Sequence, residues 1–302
     1  MGEMTKAAKK EETFTAVGCD YSAASRQPNA TWMAVAHFEQ GNLTFERLEN
    51  IGSDKLLVNL FALKEEAAGT NQTLAIGLDF PFSLPQVFAQ TLLPTLTAAE
   101  DGPCRWQALA ELVAQMDYLS FEELAGTTSR KNGGEPRRLT DQLTDPKAQS
   151  PLHKINPGML KMTWQGMPQL LELSKQGFNI LPFTKMTAGP AVMEVYPAAL
   201  LKALGLPHRK YKGQDESARA LRRIIIELQS VNKISKTPVE LELPSSLRAA
   251  AEACDDALDA AIAALGAALA HLNPQTCAPP AGPSLAQVAV EGWIYVPYLH
   301  QP

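Results

Sequence analysis

The sequence predicts an α/β fold in which a sheet is flanked by helices and interrupted by a helical insertion. An apolar run at residues 13–19 predicts the first strand. Residues 31–38 and 43–48, joined by a Gln-Gly-Asn turn, predict a hairpin. An amphipathic run at 53–68 predicts a helix, and residues 73–78 predict a buried strand. Strand, hairpin, helix and strand in this order are typical of α/β proteins.

Composition limits the class of protein. The chain has 302 residues, of which 45% are hydrophobic and 20% are charged, as expected for a globular protein with a sizeable core. A net charge of -5 argues against a protein that coats nucleic acid. The four cysteines are far apart and form no CxxC pair, so we expect reduced thiols and a cytoplasmic location. The longest apolar runs are too short to span a membrane, so no membrane partner is expected.

Four segments describe the expected domain organisation. Residues 1–12 are charged and predict a disordered tail. Residues 13–81 form the first part of the main domain, and 188–302 form the second part. Residues 82–187 between them predict a helical insertion that caps the sheet. Within it, helical patterns at 86–99, 106–117 and 168–176 flank a stretch at 127–162 that is rich in glycine, proline and charge. Part of that stretch is expected to order only on binding.

The second part of the main domain resumes the α/β pattern. Residues 191–195 predict a strand, and a helix follows at 197–204, with proline in its first turn. Residues 215–229 predict a helix with a basic face. The longest helical pattern runs over 246–272, and residues 288–296 predict a last extended segment.

Carboxylates are the main candidates for chemistry. Asp20 and Asp79 each end an apolar strand, and in a parallel sheet such residues meet at the same edge. Asp256 and Asp259 are three residues apart and share one face of a helix whose alanines allow close packing on a sheet. Clustered carboxylates repel one another, and Mg²⁺ or Mn²⁺ offsets this because both prefer oxygen ligands. Two such ions can activate the attacking water and stabilise the leaving oxygen of a phosphodiester.

A structural explanation exists for each residue taken alone. An aspartate after a strand is a common turn or helix-capping residue, and aspartates near a helix start favour the helix dipole. Glu194 interrupts an apolar strand, which is unusual in a buried strand but tolerated in an edge strand. It is either a fifth contributor to the site or a residue that orients it.

Five segments, in this order along the chain, resemble an uncharacterised family of predicted RNase H-like nucleases. They are VGCDYSA (17–23), IGLDFP (76–81), EVYP (194–197), DDALDA (255–260) and EGWIYVP (291–297). The spacing of Asp256, Asp259 and Ala260 is also similar to the last helix of resolvase-type RNase H-like enzymes.

This resemblance implies a fold and a site. The fold is an RNase H-like mixed five-stranded sheet, in which the first strand pairs with a hairpin on one side and with parallel strands on the other. The site is a two-metal centre with Asp20, Asp79, Asp256 and Asp259 as ligands, and the reaction is hydrolysis of phosphodiester bonds in nucleic acid. The helix after the hairpin departs from the ribonuclease pattern, because Glu65 and Glu66 lie near its end. No carboxylate is therefore assigned from it.

Two other functions are compatible with the same superfold. A nucleotide-dependent phosphotransferase needs glycine-rich turns that bind phosphate, and residues 21–25 after Asp20 contain no glycine. A non-catalytic protein that binds nucleic acid or another partner would retain the fold without the reaction.

Two basic segments are candidates for binding the DNA or RNA substrate. Residues 127–161 carry seven Lys and Arg against three acids, and residues 202–223 carry seven against two. Such clusters bind phosphate backbones, although each is also compatible with a solvated surface. The proposed contacts are Arg130, Lys131, Arg137, Arg138, Lys210 and Lys212.

Overall fold

One mixed sheet forms the centre of the molecule. The structure is a computed structural model that describes residues 13–23, 31–94, 102–155, 158–232, 234–235, 238–279 and 284–297. The predicted tail at 1–12 lies outside them. Within these ranges the strands are β1 (Phe14–Asp20), β2 (Trp32–Glu39), β3 (Asn42–Asn50), β4 (Thr73–Asp79), β5 (Asn179–Ile180), β6 (Ala191–Glu194), β7 (Ser230–Val231) and β8 (Val239–Glu242). They lie in the order β5-β6-β4-β1-β2-β3-β8-β7.

The pairing of the first strand agrees with the expectation. β1 pairs antiparallel with β2 on one side and parallel with β4 on the other, and β4 pairs parallel with β6. The predicted hairpin is confirmed as β2 and β3. Its turn places Gln40 at φ 52° and Gly41 at φ 86°, the left-handed conformation that suits a tight hairpin.

The predicted strand count is wrong. The described part of the chain has eight strands in one sheet instead of five. The extra strands, β5, β7 and β8, lie at or next to the two edges and have two to four residues each. Segments this short are too brief for an alternating pattern to be recognised in a sequence.

Helices cover both faces of the sheet. They are α1 (Leu56–Thr70), α2 (Gln86–Leu92), α3 (Gly102–Gln115), α4 (Tyr118–Lys131), α5 (Leu139–Leu143), α6 (Met159–Lys175), α7 (Pro197–Ala203), α8 (Glu216–Ile226), α9 (Ser245–Ala253), α10 (Asp255–Leu272), α11 (Pro274–Cys277) and α12 (Ser284–Glu291). Helices α1, α3, α4 and α6 contribute to one apolar core with residues such as Val17 and Ile76. Helices α7, α8 and α10 pack on the opposite face, against residues such as Ala16 and Ala75.

Helix α10 lies unusually close to the sheet. A Cβ atom added to Gly18 in β1 would overlap the backbone of Ala260 and Ala264. One added to Gly77 in β4 would lie 2.6 Å from the carbonyl oxygen of Ala263. Glycine in the strands and alanine in the helix therefore bring two backbones into direct contact, as the alanine-rich sequence indicates.

Two predicted elements differ from those in the structure. The helix expected at 246–272 is two helices, because Cys254 adopts an extended conformation (φ −132°, ψ 123°) between α9 and α10. This break places Asp255 and Asp256 in the first turn of α10, where negative charge is favourable. The extended segment expected at 288–296 is instead the end of α12, followed by an isolated bridge between Ile294 and Glu194.

The insertion is more ordered than its composition indicates. Helices α2 to α6 all lie within 82–187, and α4 and α5 extend into the stretch rich in glycine and proline. The carboxylate of Glu291 joins this stretch to the rest of the molecule. It accepts hydrogen bonds from the backbone N–H groups of Gln86 (2.7 Å) and Leu139 (2.6 Å), at the starts of α2 and α5. Among the described residues, no helix has the length and apolar character needed to cross a membrane.

Candidate active site

Asp20 and Asp79 lie side by side at the edge of the sheet. They are register partners at the carboxyl ends of the parallel strands β1 and β4. Both side chains are half-buried. The structure therefore brings together the two strand-end aspartates that the sequence singles out, at the edge where α/β proteins form their sites.

Helix α10 places two further aspartates beside this pair. Asp259 is fully buried, and its Oδ1 accepts a hydrogen bond of 2.7 Å from the hydroxyl of Tyr211. Its Oδ2 lies 2.6 Å from the Nζ atom of Lys212. Oδ2 therefore has an ion-pair partner in Lys212 but no hydrogen bond in the described part of the chain. Asp256 is half-buried one turn earlier, near enough to Asp20 for each carboxyl group to affect the pKa of the other.

Burial and mutual repulsion favour the protonated forms of these acids. Burial raises the pKa of Asp79 to about 8; the Lys212 ammonium opposes this rise and the charge of Asp259 adds to it. Burial, followed by the charge of Asp259, also raises the pKa of Asp20 well above its usual range. The pKa of Asp256 is raised by burial and by Asp255. The cluster therefore holds more negative charge than its surroundings neutralise.

The loop at 208–212 supplies the positive charge next to the aspartates. Lys210 has φ 61°, a left-handed conformation that is uncommon for a residue other than glycine. The Nη1 atom of the buried Arg222 donates to the carbonyl oxygens of Tyr211 (2.6 Å) and Gly213 (2.9 Å), which anchors the loop. Asp259 in turn raises the pKa of Lys212 well above its usual value.

The sequence does not reveal that Tyr211 and Lys212 contact Asp259. The segment at 202–223 attracts attention because it is basic, and that suggests phosphate binding. Tyr211 and Asp259 are 48 residues apart in the chain, so no short-range sequence pattern connects them.

Glu194 belongs to a buried ionic cluster next to the aspartates. Its carboxylate receives two hydrogen bonds from the guanidinium of Arg138, at 2.7 and 2.6 Å, and one of 3.0 Å from the backbone N–H of Phe82. Burial raises the pKa of Glu194, and Arg138 opposes the rise. Phe82 follows Asp79 by three residues, so these contacts anchor the loop that leaves β4. Glu194 also lines the cavity described below.

The six basic residues considered for substrate binding fall into three groups. Arg138 is only 1% exposed and pairs with Asp141 at 2.7 Å as well as with Glu194. Lys210 and Lys212 line the cavity described below. Arg130, Lys131 and Arg137 are exposed and do not line it. Arg138 also lines this cavity, so the structure brings three of the six residues to it, although Arg138 is buried and already paired with two acids.

A cavity of about 430 Å³ opens above the aspartates. Asp20, Asp79 and Asp259 line one side of it. The loop at 208–212 and the segment at 194–198 line another, and residues of the insertion, including Met159 and Met162 of α6, complete the wall. The volume lies within the range of about 300–1,000 Å³ that is typical of small-molecule sites.

The aspartates provide a donor set suited to a hard cation but do not yet form a closed ligand shell. Across the described ranges, no group of three or more His, Cys, Asp or Glu side chains is arranged to hold a metal ion. Lys212 interacts with all four aspartates instead. Two features nevertheless fit a divalent cation: the buried Oδ2 of Asp259, which already faces a positive charge but has no hydrogen bond among the described residues, and a cluster of carboxylate oxygens whose charges repel one another.

Comparison with known proteins gives one match. A family model described as "Protein of unknown function (DUF429)" matches residues 18–283, which include all four aspartates and the whole insertion. Neither the search of curated proteins nor that of solved structures found a match to the chain.

Proposed function

Since the chain belongs to the DUF429 family of proteins of unknown function, we propose a function from the site itself: metal-dependent hydrolysis of phosphodiester bonds in nucleic acid, on an RNase H-like fold. One observation carries the proposal. Asp20 and Asp79 are register partners at the ends of neighbouring parallel strands, and the buried Asp259 lies beside them with an oxygen that lacks a hydrogen bond.

The strand order supports the RNase H-like part of the proposal. Without the short strands β5, β7 and β8, the sheet reads β3-β2-β1-β4-β6. β3, β2 and β1 are antiparallel neighbours, and β4 and β6 continue the sheet parallel to β1. This is the arrangement that the sequence resemblance implies. The short additional strands extend this core at its edges.

Asp20, Asp79, Asp256 and Asp259 would hold Mg²⁺ or Mn²⁺. When bound, such an ion supplies positive charge that polarises a phosphoryl oxygen and acidifies water. Other residues of the chain position these ligands and the substrate. Tyr211 orients Asp259 through its hydroxyl, and Glu194 anchors the loop after Asp79 through the backbone of Phe82. Lys210 and Arg209 on the cavity wall attract the phosphate backbone.

Lys212 would move away from Asp259 when a cation binds. Its side chain is 55% exposed, so it can swing into solvent without a large loss of packing. Because Lys212 lines the cavity, its ammonium would then be available to a substrate phosphate.

Cleavage of a panel of labelled DNA and RNA oligonucleotides in Mg²⁺ or Mn²⁺ tests the proposal. We expect metal-dependent cleavage by the wild-type protein, and its loss in Asp20→Asn, because this change removes a ligand charge at nearly constant volume. Glu65→Gln is the matched control, since Glu65 is exposed on α1. If the whole panel stays intact while the protein transfers phosphate from ATP, the phosphotransferase alternative replaces the nuclease.

A further inference from the structure

The shape of the cavity restricts which nucleic acid can reach the aspartates. This inference rests on the proposed function and names its substrate class. The buried position of Asp259 and the half-buried positions of Asp20 and Asp79 put the carboxylates at the bottom of the cavity, not on an open surface. A phosphodiester must therefore enter the cavity to be cleaved.

The cavity has three chemically different walls. The bottom is acidic. The insertion contributes the apolar side chains of Met159 and Met162, and the loop after β4 contributes Pro81. The loop at 208–212 contributes the exposed cations Arg209 and Lys210. Tyr196, which is half-buried, adds an aromatic ring to the residues that line the cavity.

These walls match the parts of a nucleotide. Apolar and aromatic side chains stack on a base, and cations contact the phosphates that continue the chain. The acidic bottom, once loaded with a divalent cation, accepts the phosphate between them. The cavity volume of about 430 Å³ matches a single small ligand.

We propose that the cavity accepts one unpaired nucleotide at a time, so that the substrate is single-stranded nucleic acid and not a duplex. A paired and stacked nucleotide presents its phosphate on the outside of a rigid double helix. Met159 and Met162 of the insertion line the same cavity as Asp20 and Asp79, so the cavity wall restricts the approach of such a helix to the aspartates. A nucleotide of a duplex would first have to be unpaired and flipped out, which costs a few kcal/mol.

The test compares one labelled oligonucleotide as a single strand and as a blunt duplex, both in Mn²⁺. Since each 1.4 kcal/mol is a factor of ten, we expect the single strand to be cleaved on the order of 10²-fold faster. Met159→Trp, which fills the cavity from its apolar wall, is expected to abolish this cleavage. Met162→Trp serves as a second variant from the same wall. Met186→Trp is the matched control, because Met186 is 62% exposed and does not line the cavity.

The outcomes separate this inference from the proposed function. Equal cleavage of both forms, unaffected by either cavity variant, would overturn the inference and leave the nuclease intact. If no substrate is cleaved, the proposed reaction fails, and direct binding decides the inference. Single-strand binding that is lost in Met159→Trp and Met162→Trp but kept in Met186→Trp then supports it. Binding that is unchanged in all three variants, or equally tight for the duplex, overturns it.

Discussion

The ammonium of Lys212 lies 2.6 Å from the Oδ2 atom of Asp259, a carboxylate with no exposed surface. Lys212 also lowers the pKa values of Asp79, Asp20 and Asp256, so one side chain offsets the charge of four acids. In the proposed mechanism a divalent cation takes over this role. The lysine is then an internal counter-ion of the metal-free protein.

Replacing this counter-ion should strengthen metal binding. In Lys212→Met we expect Mn²⁺ to bind more tightly by on the order of tenfold, because the incoming cation no longer meets a positive charge. Isothermal titration calorimetry measures the affinity. Lys210→Met is the matched control, since Lys210 is exposed two residues away and has no ion pair with Asp259. Weaker Mn²⁺ binding in Lys212→Met than in Lys210→Met would contradict the counter-ion role.

The raised pKa of Asp79 predicts how stability depends on pH in the metal-free protein. The unfolded chain releases this proton near pH 4, whereas the folded protein holds it up to about pH 8. The free energy of unfolding therefore falls between these values as the pH rises. Asp79→Asn should remove this loss and stabilise the protein at pH 8 by roughly 1–3 kcal/mol, with little effect near pH 4.

Urea unfolding in EDTA at several pH values measures this difference. Asp54→Asn, at an exposed aspartate outside the cavity, is the control. If Asp79→Asn raises the free energy of unfolding by the same amount at pH 4 and pH 8, the raised pKa of Asp79 is not the cause of the stabilisation.

The buried cluster around Arg138 predicts a large loss of stability. Arg138→Met leaves Glu194 and Asp141 buried without their partner, which should cost about 3–5 kcal/mol. Arg137→Met, at an exposed neighbour, should cost little. Denaturant unfolding compares the two, and Arg138→Met combined with Glu194→Met should recover part of the loss. If Arg138→Met and Arg137→Met both lower the free energy of unfolding only slightly, the buried cluster does not stabilise the packing of the insertion.

The contact between α10 and the sheet predicts that glycine is required at position 18. Gly18→Ala places a methyl group inside the backbone of α10, which can relieve the overlap only by moving, so we expect a loss of about 3 kcal/mol or more. Gly69→Ala, in α1 with open space around it, should instead stabilise by up to about 1 kcal/mol. Thermal unfolding ranks the two variants. A stable Gly18→Ala protein would mean that the helix can be displaced easily.

Some parts of the fold and the site could be predicted because they are encoded locally. Apolar runs that end in Asp20 and Asp79 indicate both a strand and the edge at which the carboxylate lies. The alanines after Asp259 indicate a helix that packs closely on a sheet. The hairpin follows from one turn with residues suited to it. In each case the residues that carry the signal are close neighbours in the chain.

Other parts could not be predicted because they depend on contacts between distant residues. Arg138 and Glu194 are 56 residues apart, so the sequence presents one as a surface cation and the other as an interruption of a strand. Lys212 appears as one cation among seven in a basic segment, whereas its position is set by Asp259 and by the loop that Arg222 anchors. The two-residue strands β5 and β7 exist only because a longer neighbour is available for pairing.

The backbone contact at Gly18 and Gly77 makes the spacing of the site's carboxylates independent of many side chains elsewhere in the protein. The backbone of α10 contacts the backbone of β1 and β4 directly at these glycines, and this contact sets the distance between Asp259 and the strand-end aspartates. Exchanges among the larger apolar residues of either core can change packing elsewhere without altering this separation. The spacing of the carboxylates can therefore stay constant while the surrounding sequence diverges, as long as the two glycines and the small residues opposite them remain.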